Sequence, residues 1–210
     1  MMNVKTIPVG NLGTNCYIAY SGNDAVVIDP GDDAEKILAE IEKLGVTVSY
    51  ILLTHAHFDH ILAVNEIKNA ANAKVVAGKE EQERLSSAYL SGLSLMGIGE
   101  FDPVTAEIYL SDGDTLDVGD MHFEFLHTPG HTEGSFCIFC DGVMFSGDTL
   151  FAGTCGRCDL PGGDISEMFS SLKKLYLLPG DFKVYPGHEG STLLSEERIF
   201  NPYMAEAMRR

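Results

Sequence analysis

Three imidazoles and one carboxylate, His55, His57, Asp59 and His60, fall within six residues of the stretch Thr54-His55-Ala56-His57-Phe58-Asp59-His60. The stretch directly follows the apolar run Tyr50-Ile51-Leu52-Leu53. Histidine is the commonest metal ligand and carboxylate its usual hard partner, so the cluster reads as a transition-metal site rather than a histidine-rich surface loop. In a locally extended loop His55 and His57 project to one side and can share an ion. Asp59 lies on that side too, while His60 is turned away. The four therefore need not serve the same metal.

Three further residues share one kind of address. His131 follows Phe125-Leu126-His127-Thr128-Pro129-Gly130, Asp148 follows Val143-Met144-Phe145-Ser146-Gly147, and His188 follows Val184-Tyr185-Pro186-Gly187. Each comes shortly after an apolar run, beside a glycine that permits a tight turn. Taken singly, each reads as a turn residue. Together with the cluster they read as loops at one sheet edge that converge on a common site while strands hold them rigid.

Strands are expected over 15–20, 25–28, 50–53, 74–76, 122–126, 135–140, 143–145 and 182–185. Alternation of these runs with helix-like periodic segments predicts an α/β fold in layers. Asp32 is placed to cap a helix with Glu35 in capping-box position, Ile37, Leu38, Ile41 and Leu44 on one face and Gly45 as the stop. Asp164 and Glu167 repeat the pattern before Ile165, Met168, Phe169, Leu172 and Leu175. Another helix is expected after His60, carrying Ile61, Leu62, Val64 and Ile67. Asp141-Gly142 between two apolar runs signals a two-residue hairpin. The stretch 78–101, polar at first and then rich in Leu, Met and Gly, is expected to form helices covering the site.

The chain has 210 residues, which suits one domain able to bury a core without disulfides. Lys plus Arg total 14 against 31 Asp plus Glu, a formal charge of -17. That balance argues against nucleic acid and anionic membrane as partners, because phosphate binding needs clustered cations. The first ten residues lack the apolar stretch of a signal peptide and no segment reaches transmembrane length, so a cytoplasmic location is expected. Five cysteines, an odd number, fit a reducing compartment. Nothing in the sequence sets an oligomeric state.

Several other signals carry less. Cys137/Cys140 and Cys155/Cys158 are spaced like zinc-ribbon pairs, but Cys137 and Cys140 lie on a strand, where residues three apart face opposite ways. Cys155 and Cys158 leave room for a redox-sensitive thiol, and Cys16 reads as core. His122 reads as a structural strand residue, and His127, closer to the His131 loop, could support a ligand from behind. Arg157 is expected to pair with Asp159 and shape its loop rather than to touch an anionic substrate. Tyr89, Met96 and Phe101 could wall a pocket, but core packing is the expected role.

The motifs at 54–60 (THxHxDH) and 128–135 (TPGHTEGS), with Ser146-Gly147-Asp148, Pro186-Gly187-His188 and the loop 156–163 (GRCDLPGG), resemble the metallo-β-lactamase superfamily, specifically its glyoxalase II-like hydrolases. The resemblance implies a four-layer αββα sandwich spanning residues 1–210, with metals at one edge of the two sheets. It implies one ion on His55, His57 and His131, a second on Asp59, His60 and His188, and Asp148 bridging them. Several true β-lactamases carry cysteine where this chain has Asp148, and flavodiiron-type relatives carry glutamate where it has His57.

The resemblance also implies a reaction. Two divalent ions, zinc first with iron or manganese as alternatives, can hold a hydroxide and polarise a substrate carbonyl. Asp59 would orient that nucleophile or take its proton. The expected substrate is a small-molecule thioester, cleaved in the manner of hydroxyacylglutathione hydrolase. In full-length glyoxalase II a helical domain follows the last histidine and supplies basic contacts to glutathione. Here 22 residues follow His188, enough for one short helix over 196–208, so a smaller or different thioester is expected. A persulfide dioxygenase-like oxidoreductase, with one iron on His55, His131 and Asp148, is the alternative from another class. A non-enzymatic metal-binding module is the third.

Overall fold

A computed structural model describes residues 1–97 and 100–210. The first half builds one six-stranded sheet in sequential order: β1 (Asn3–Val9), β2 (Thr14–Ser21), β3 (Asp24–Ile28), β4 (Thr47–Leu52), β5 (Lys74–Gly78) and β6 (Ile108–Leu110). β1 to β3 are antiparallel neighbours, and β3 to β6 pair in parallel. The second sheet runs in the order β12 (Thr192–Leu193), β11 (Lys183–Pro186), β10 (Val143–Gly147), β9 (Phe136–Cys140), β8 (Met121–His127) and β7 (Thr115–Val118).

Strand periodicity explains the layering. Val27, Ile51 and Val75 point to one face of the first sheet and share a core with Ile37, Ile61 and Ile67 from α1 (Ala34–Leu44), α2 (Phe58–Ile61) and α3 (Val64–Ala71) respectively. Their neighbours Ile28, Leu52 and Val76 point the other way, into a middle core with Phe123, Phe125, Phe136 and Phe145 of the second sheet. The outer face of that sheet, with Cys137, Met144 and Val184, meets Met168, Leu172 and Leu175 of α5 (Ile165–Leu177). This is the expected αββα sandwich. All eight expected strands are present: those buried on both faces, such as β3, read as unbroken apolar runs, and β8, with His122 and Glu124 exposed, reads by alternation.

Capping chemistry holds at one helix and fails at another. Asp164 caps α5, its Oδ1 accepting from Ser166 N at 2.6 Å and Glu167 N at 3.1 Å, while its own N–H goes to the Gly130 carbonyl instead of to Glu167. Ile165 is 48 % exposed and does not join the apolar face. Asp32 is not the cap of α1. The residue before that helix is Asp33, in the left-handed region at φ 52°, and the Asp32 carboxylate accepts from Asp33 N. Gly45 stops α1 as expected, at φ 67°.

Further differences have local causes. The helix expected after His60 divides into α2 and α3, because Ala63 donates to the Pro30 carbonyl and breaks the ladder; Leu62 is left exposed. Stretch 78–101 holds two single 3₁₀ turns, Lys79–Glu81 and Arg84–Ser86, and α4 (Leu93–Met96); residues 98 and 99 of that stretch lie outside the described residues. Asn201-Pro202 splits the expected terminal helix into α6 (Leu194–Phe200) and α7 (Pro202–Ala207), since proline has no N–H to continue the ladder and Asn201 caps α7. Asp141 and Gly142, at φ 50° and 76°, make the β9–β10 hairpin turn. Among the described residues no helix is long and apolar enough to cross a membrane.

Candidate metal centre

All seven residues singled out in the sequence lie in connections that follow strands of the two sheets. The cluster follows β4, His131 follows β8, Asp148 follows β10 and His188 follows β11. The extended geometry expected of the cluster holds only as far as His57, at φ −69° and ψ 150°. Asp59 and His60 sit on the helical turn α2, so their directions are set by helix geometry rather than by strand alternation.

Two groups of three form. One ring nitrogen from each of His55, His57 and His131 lies within 4.8 Å of the others, and the same holds for ligand atoms of Asp59, His60 and His188. Within the first group His57 Nδ1 is 2.8 Å from His131 Nε2. Within the second, His188 Nε2 is 3.2 Å from Asp59 Oδ2. Asp148 lies between them. Its Oδ2 is 3.4 Å from His131 Nε2 and 3.7 Å from His188 Nε2, and its Oδ1 is 3.5 Å from His60 Nε2.

The residues fit divalent cations. His55 Nε2, His57 Nε2, His60 Nε2 and Asp148 Oδ1 are all buried with no hydrogen-bond partner. A single orphaned buried polar atom costs about 1–3 kcal/mol, so orphans on four ligand-type side chains of one site favour a cationic partner there. Nitrogen and carboxylate donors in this number suit zinc and the other first-row divalent ions.

Electrostatics sort the imidazoles. Burial holds His55, His57 and His131 below the ordinary histidine value, leaving them in the neutral form that can ligate. Burial works the same way on His60 and His188, but adjacent carboxylates outweigh it: Asp59, Asp148 and Asp29 for His60, Asp59 and Asp148 for His188. Both are held above the ordinary value. Conversely, burial opposes ionisation of Asp148, yet His60, His131 and His188 bring it down to about 2. Asp59 is pulled below the usual carboxylate range by His60, His188 and the Thr14 hydroxyl, against the effect of burial.

The sequence reading missed the residues that aim the ligands. Asp29, at φ 49° after β3, accepts from Thr54 N at 2.8 Å and Thr54 Oγ1 at 2.6 Å, and its Oδ2 stands 2.9 Å from His60 Nδ1. Asp29 lies within reach of His55 and His60 as a third group of cation-binding type, but both its oxygens already accept from Thr54. It therefore orients His60 and leaves Nε2 facing the cleft. Thr14 donates to Asp59 Oδ2 at 2.9 Å, and Tyr17 and Asn15 hold the Pro186 carbonyl just before His188. The fully buried Glu81 accepts from Ala56 N, Thr132 Oγ1 and Gly134 N, and Arg84 Nε is 3.0 Å from it. Asp29 had a usable signal: Asp29-Pro30-Gly31 ends an apolar strand, as Ser146-Gly147-Asp148 does. Two glycines let the loops close: a Cβ at Gly31 would run into the Asp59 carbonyl, and one at Gly187 into the Asp148 carboxylate.

The remaining signals resolve outside the ligand set. His127 Nε2 holds the Glu133 carbonyl and so braces the His131 loop from behind. His122 is exposed beside Asp117. Arg157 pairs bidentately with Asp159 at 2.6 and 2.7 Å, and its carbonyl faces His131 Nδ1 at 2.7 Å. Cys137 and Cys140 enter different cores, and Cys16 is buried. Burial pushes the Cys155 thiol up to about 12 and Cys158 to about 11, which removes the thiolate a redox sensor needs. Phe101 packs against the first core, but Tyr89 and Met96 are more than half exposed, and Met96 borders the cleft.

A model of the metallo-β-lactamase superfamily matches residues 9–188. The chain belongs to the metallo-β-lactamase superfamily. Within this superfamily of metal-dependent hydrolases it is 32 % identical to the hydroxyacylglutathione hydrolase GloC of Haemophilus influenzae over 97 % of this chain and 98 % of that one. Among solved structures it is similar to the B3 metallo-β-lactamase BLEG-1 (TM-score 0.89, 36 % identity, 96 % and 99 % of the two chains) and to TTHA1623 in a di-iron-bound form (0.86, 37 %, 95 % and 99 %). It is also similar to ETHE1 from Myxococcus xanthus (0.81, 28 %, 97 % and 85 %).

Proposed function

We propose that this superfamily member is a dinuclear metal-dependent thioesterase of the glyoxalase II type, with His55, His57 and His131 for one ion, Asp59, His60 and His188 for the other, and Asp148 between them. The observation that carries the reading is the pair of three-residue ligand groups with the Asp148 carboxylate reaching both. Two divalent ions, when bound, lower the pKa of a coordinated water towards 7 and polarise a carbonyl oxygen. Zinc is the proposed native ion, with iron next in view of the di-iron form of TTHA1623 and manganese after it.

The protein's own part is positioning and proton handling. Asp59 borders the cleft with its Oδ2 steadied by Thr14 and His188. It orients the attacking water and accepts its proton. Asp29 and Glu81 hold His60, His55 and His57 in place during the change of charge at the carbonyl. The reading takes residues 1–210 as one domain acting on a small molecule, without nucleic acid or membrane, which the charge of -17 supports. Five free thiols support a reducing, cytoplasmic setting.

The similarity to ETHE1 favours a second reading, a mononuclear iron dioxygenase acting on persulfides with His55, His131 and Asp148 as its triad. One experiment separates the two: metal content of protein purified without added metal, followed by assays on thioesters, a persulfide with oxygen monitoring, and a β-lactam, since BLEG-1 is among the similar structures. Two ions per chain and chelator-sensitive thiol release are expected. One iron with oxygen uptake would replace the thioesterase reading with the dioxygenase, and turnover indifferent to exhaustive chelation would end both.

A further inference from the structure

The cleft over the ligand groups has a volume of about 210 Å³ and a lining of two chemical kinds. One kind is the ligand set. The other is apolar: Leu12 from the β1–β2 turn, Phe58 from α2, Leu95 and Met96 from α4, and Leu160 from the loop after Asp148. Leu12, Leu95 and Met96 are 49 %, 52 % and 53 % exposed. Two separate segments, the β1–β2 turn and α4, thus hold large apolar side chains out into water at the same opening. Such a grouping costs solvation free energy unless something apolar covers it, and its place beside reacting groups points to the substrate.

Charge leads the same way. Arg157 is the one Lys or Arg among the described residues lining the cleft, and Asp159 occupies its guanidinium at both Nε and Nη2. Beyond Arg157 and the ligand set, whose Asp59 and Asp148 carboxylates the two proposed ions would offset, the lining is uncharged, in a chain of net charge -17. Away from the ions, a substituent bearing free carboxylates, as glutathione does, would find no unpaired Lys or Arg there among the described residues.

We propose that the substrate is a thioester whose non-reacting substituent is an uncharged, apolar chain seated against Leu12, Leu95 and Met96. The inference rests on the thioesterase reading for the reacting bond, while the apolar seat is a property of the cleft by itself. The chain can belong to the acyl group or to the thiol, and either would lie against the same three side chains.

The test uses the metal-loaded enzyme with two series of neutral thioesters: acyl chains of two to eight carbons on N-acetylcysteamine, and acetyl esters of alkanethiols of matching length. A hydroxyacylglutathione serves as the charged comparison. One of the two series should show kcat/KM rising about fourfold per methylene until the cleft is filled, the equivalent of ~0.8 kcal/mol per buried CH₂. In L95Q/M96Q, whose changes fall on exposed side chains outside the ligand set, the rise should drop below twofold per methylene with thermal stability kept. The non-hydrolysable S-alkyl thioethers of N-acetylcysteamine, followed by calorimetry, should bind more tightly with length and with a negative heat-capacity change. Thioester hydrolysis that ignores chain length in both series, or that prefers the hydroxyacylglutathione over neutral esters of the same acyl size, overturns the proposal. Length-dependent thioether binding without metal-dependent thiol release from any ester keeps the apolar seat and overturns the thioesterase reading instead.

Discussion

Glu81 is the residue whose loss should reveal how the metal centre is held together. Its side chain is fully buried, and its two oxygens serve two ligand loops. Oε2 accepts from Ala56 N at 3.0 Å, the amide between His55 and His57, while Oε1 accepts from Thr132 Oγ1 at 2.6 Å and Gly134 N at 2.9 Å, next to His131. Arg84, 2 % exposed, supplies the counter-charge and also donates to the Leu90 and Pro161 carbonyls. In E81Q one oxygen can still serve Thr132 and Gly134, but the new amide NH₂ faces the Ala56 N–H and the guanidinium, donor against donor.

That geometry carries two costs. An orphaned buried N–H is worth about 1–3 kcal/mol, and a buried charge stripped of its partner about 3–5 kcal/mol. They overlap, because relaxation that helps Arg84 also helps Ala56, so a total near ~4 kcal/mol is the expectation. With a urea m-value of about 2.5 kcal/mol/M for a chain of this size, the midpoint of the metal-free protein should fall by roughly 1.5 M. Metal affinity should fall about 10- to 100-fold, the usual effect of losing a group that positions ligands. Urea unfolding in chelator gives the first number and competition against a chromophoric chelator the second. In a double-mutant cycle with R84M the two changes should couple by about 1–3 kcal/mol. A midpoint within ~0.3 M of wild type, equivalent to about 0.75 kcal/mol, together with unchanged metal affinity would refute the idea that one carboxylate clasps both loops.

Three other outcomes are expected. D59N should keep KM within a few-fold and lower kcat by about 10²–10⁴, the range for a lost general base; metal-loaded protein with near-full turnover would remove Asp59 from proton handling. G31A should abolish metal binding at ordinary concentrations and cost at least the ~1–3 kcal/mol of overpacking, because a Cβ there runs into the Asp59 carbonyl; calorimetric titration with zinc checks it, and wild-type affinity would show that the β3 loop can retreat. Alkylation of Cys155 and Cys158 in the native protein should be slow at pH 7 and rise about tenfold per pH unit, since pKa values raised to about 12 and 11 leave little thiolate below pH 9; fast labelling at pH 7, read by mass spectrometry, would contradict the burial of these thiols.

What could be read from the chain depended on how many faces of an element are buried. β3, β4 and β5 pair in parallel under helices, so Ala25 to Ile28, Ile51 and Leu52, and Val75 and Val76 form apolar runs with no polar interruption. β1 lies at a sheet edge, where the exposed positions of Asn3 and Thr6 and a proline at position 8 are tolerated, and its sequence looks like a loop. β6 and β12 are three and two residues long, below what a periodicity can register. The two acidic helix starts had the same local pattern. They differ because Asp33, in the left-handed region, also accepts from Gly10 N, a contact 23 residues distant that no local rule contains.

The site divides along the same line. Histidines after apolar strands are conspicuous because imidazole is rare and has few uses at a turn. The carboxylates and hydroxyls that aim them are hidden, because Asp, Glu and Thr have many bland uses. Glu81 sits in Lys79-Glu80-Glu81-Gln82-Glu83-Arg84, six polar residues that read as a solvated surface, and composition cannot say which of them turns inward. The 3₁₀ turns decide it. Glu81 and Arg84, three residues apart, fall on the same side of the chain and are buried together, while Glu80 and Glu83 remain exposed. A polar run beside a metal cluster is therefore worth testing at three-residue spacing for one acid and one base: an ion pair that can be buried only as a pair is what lets a charged carboxylate reach the amides behind the ligands.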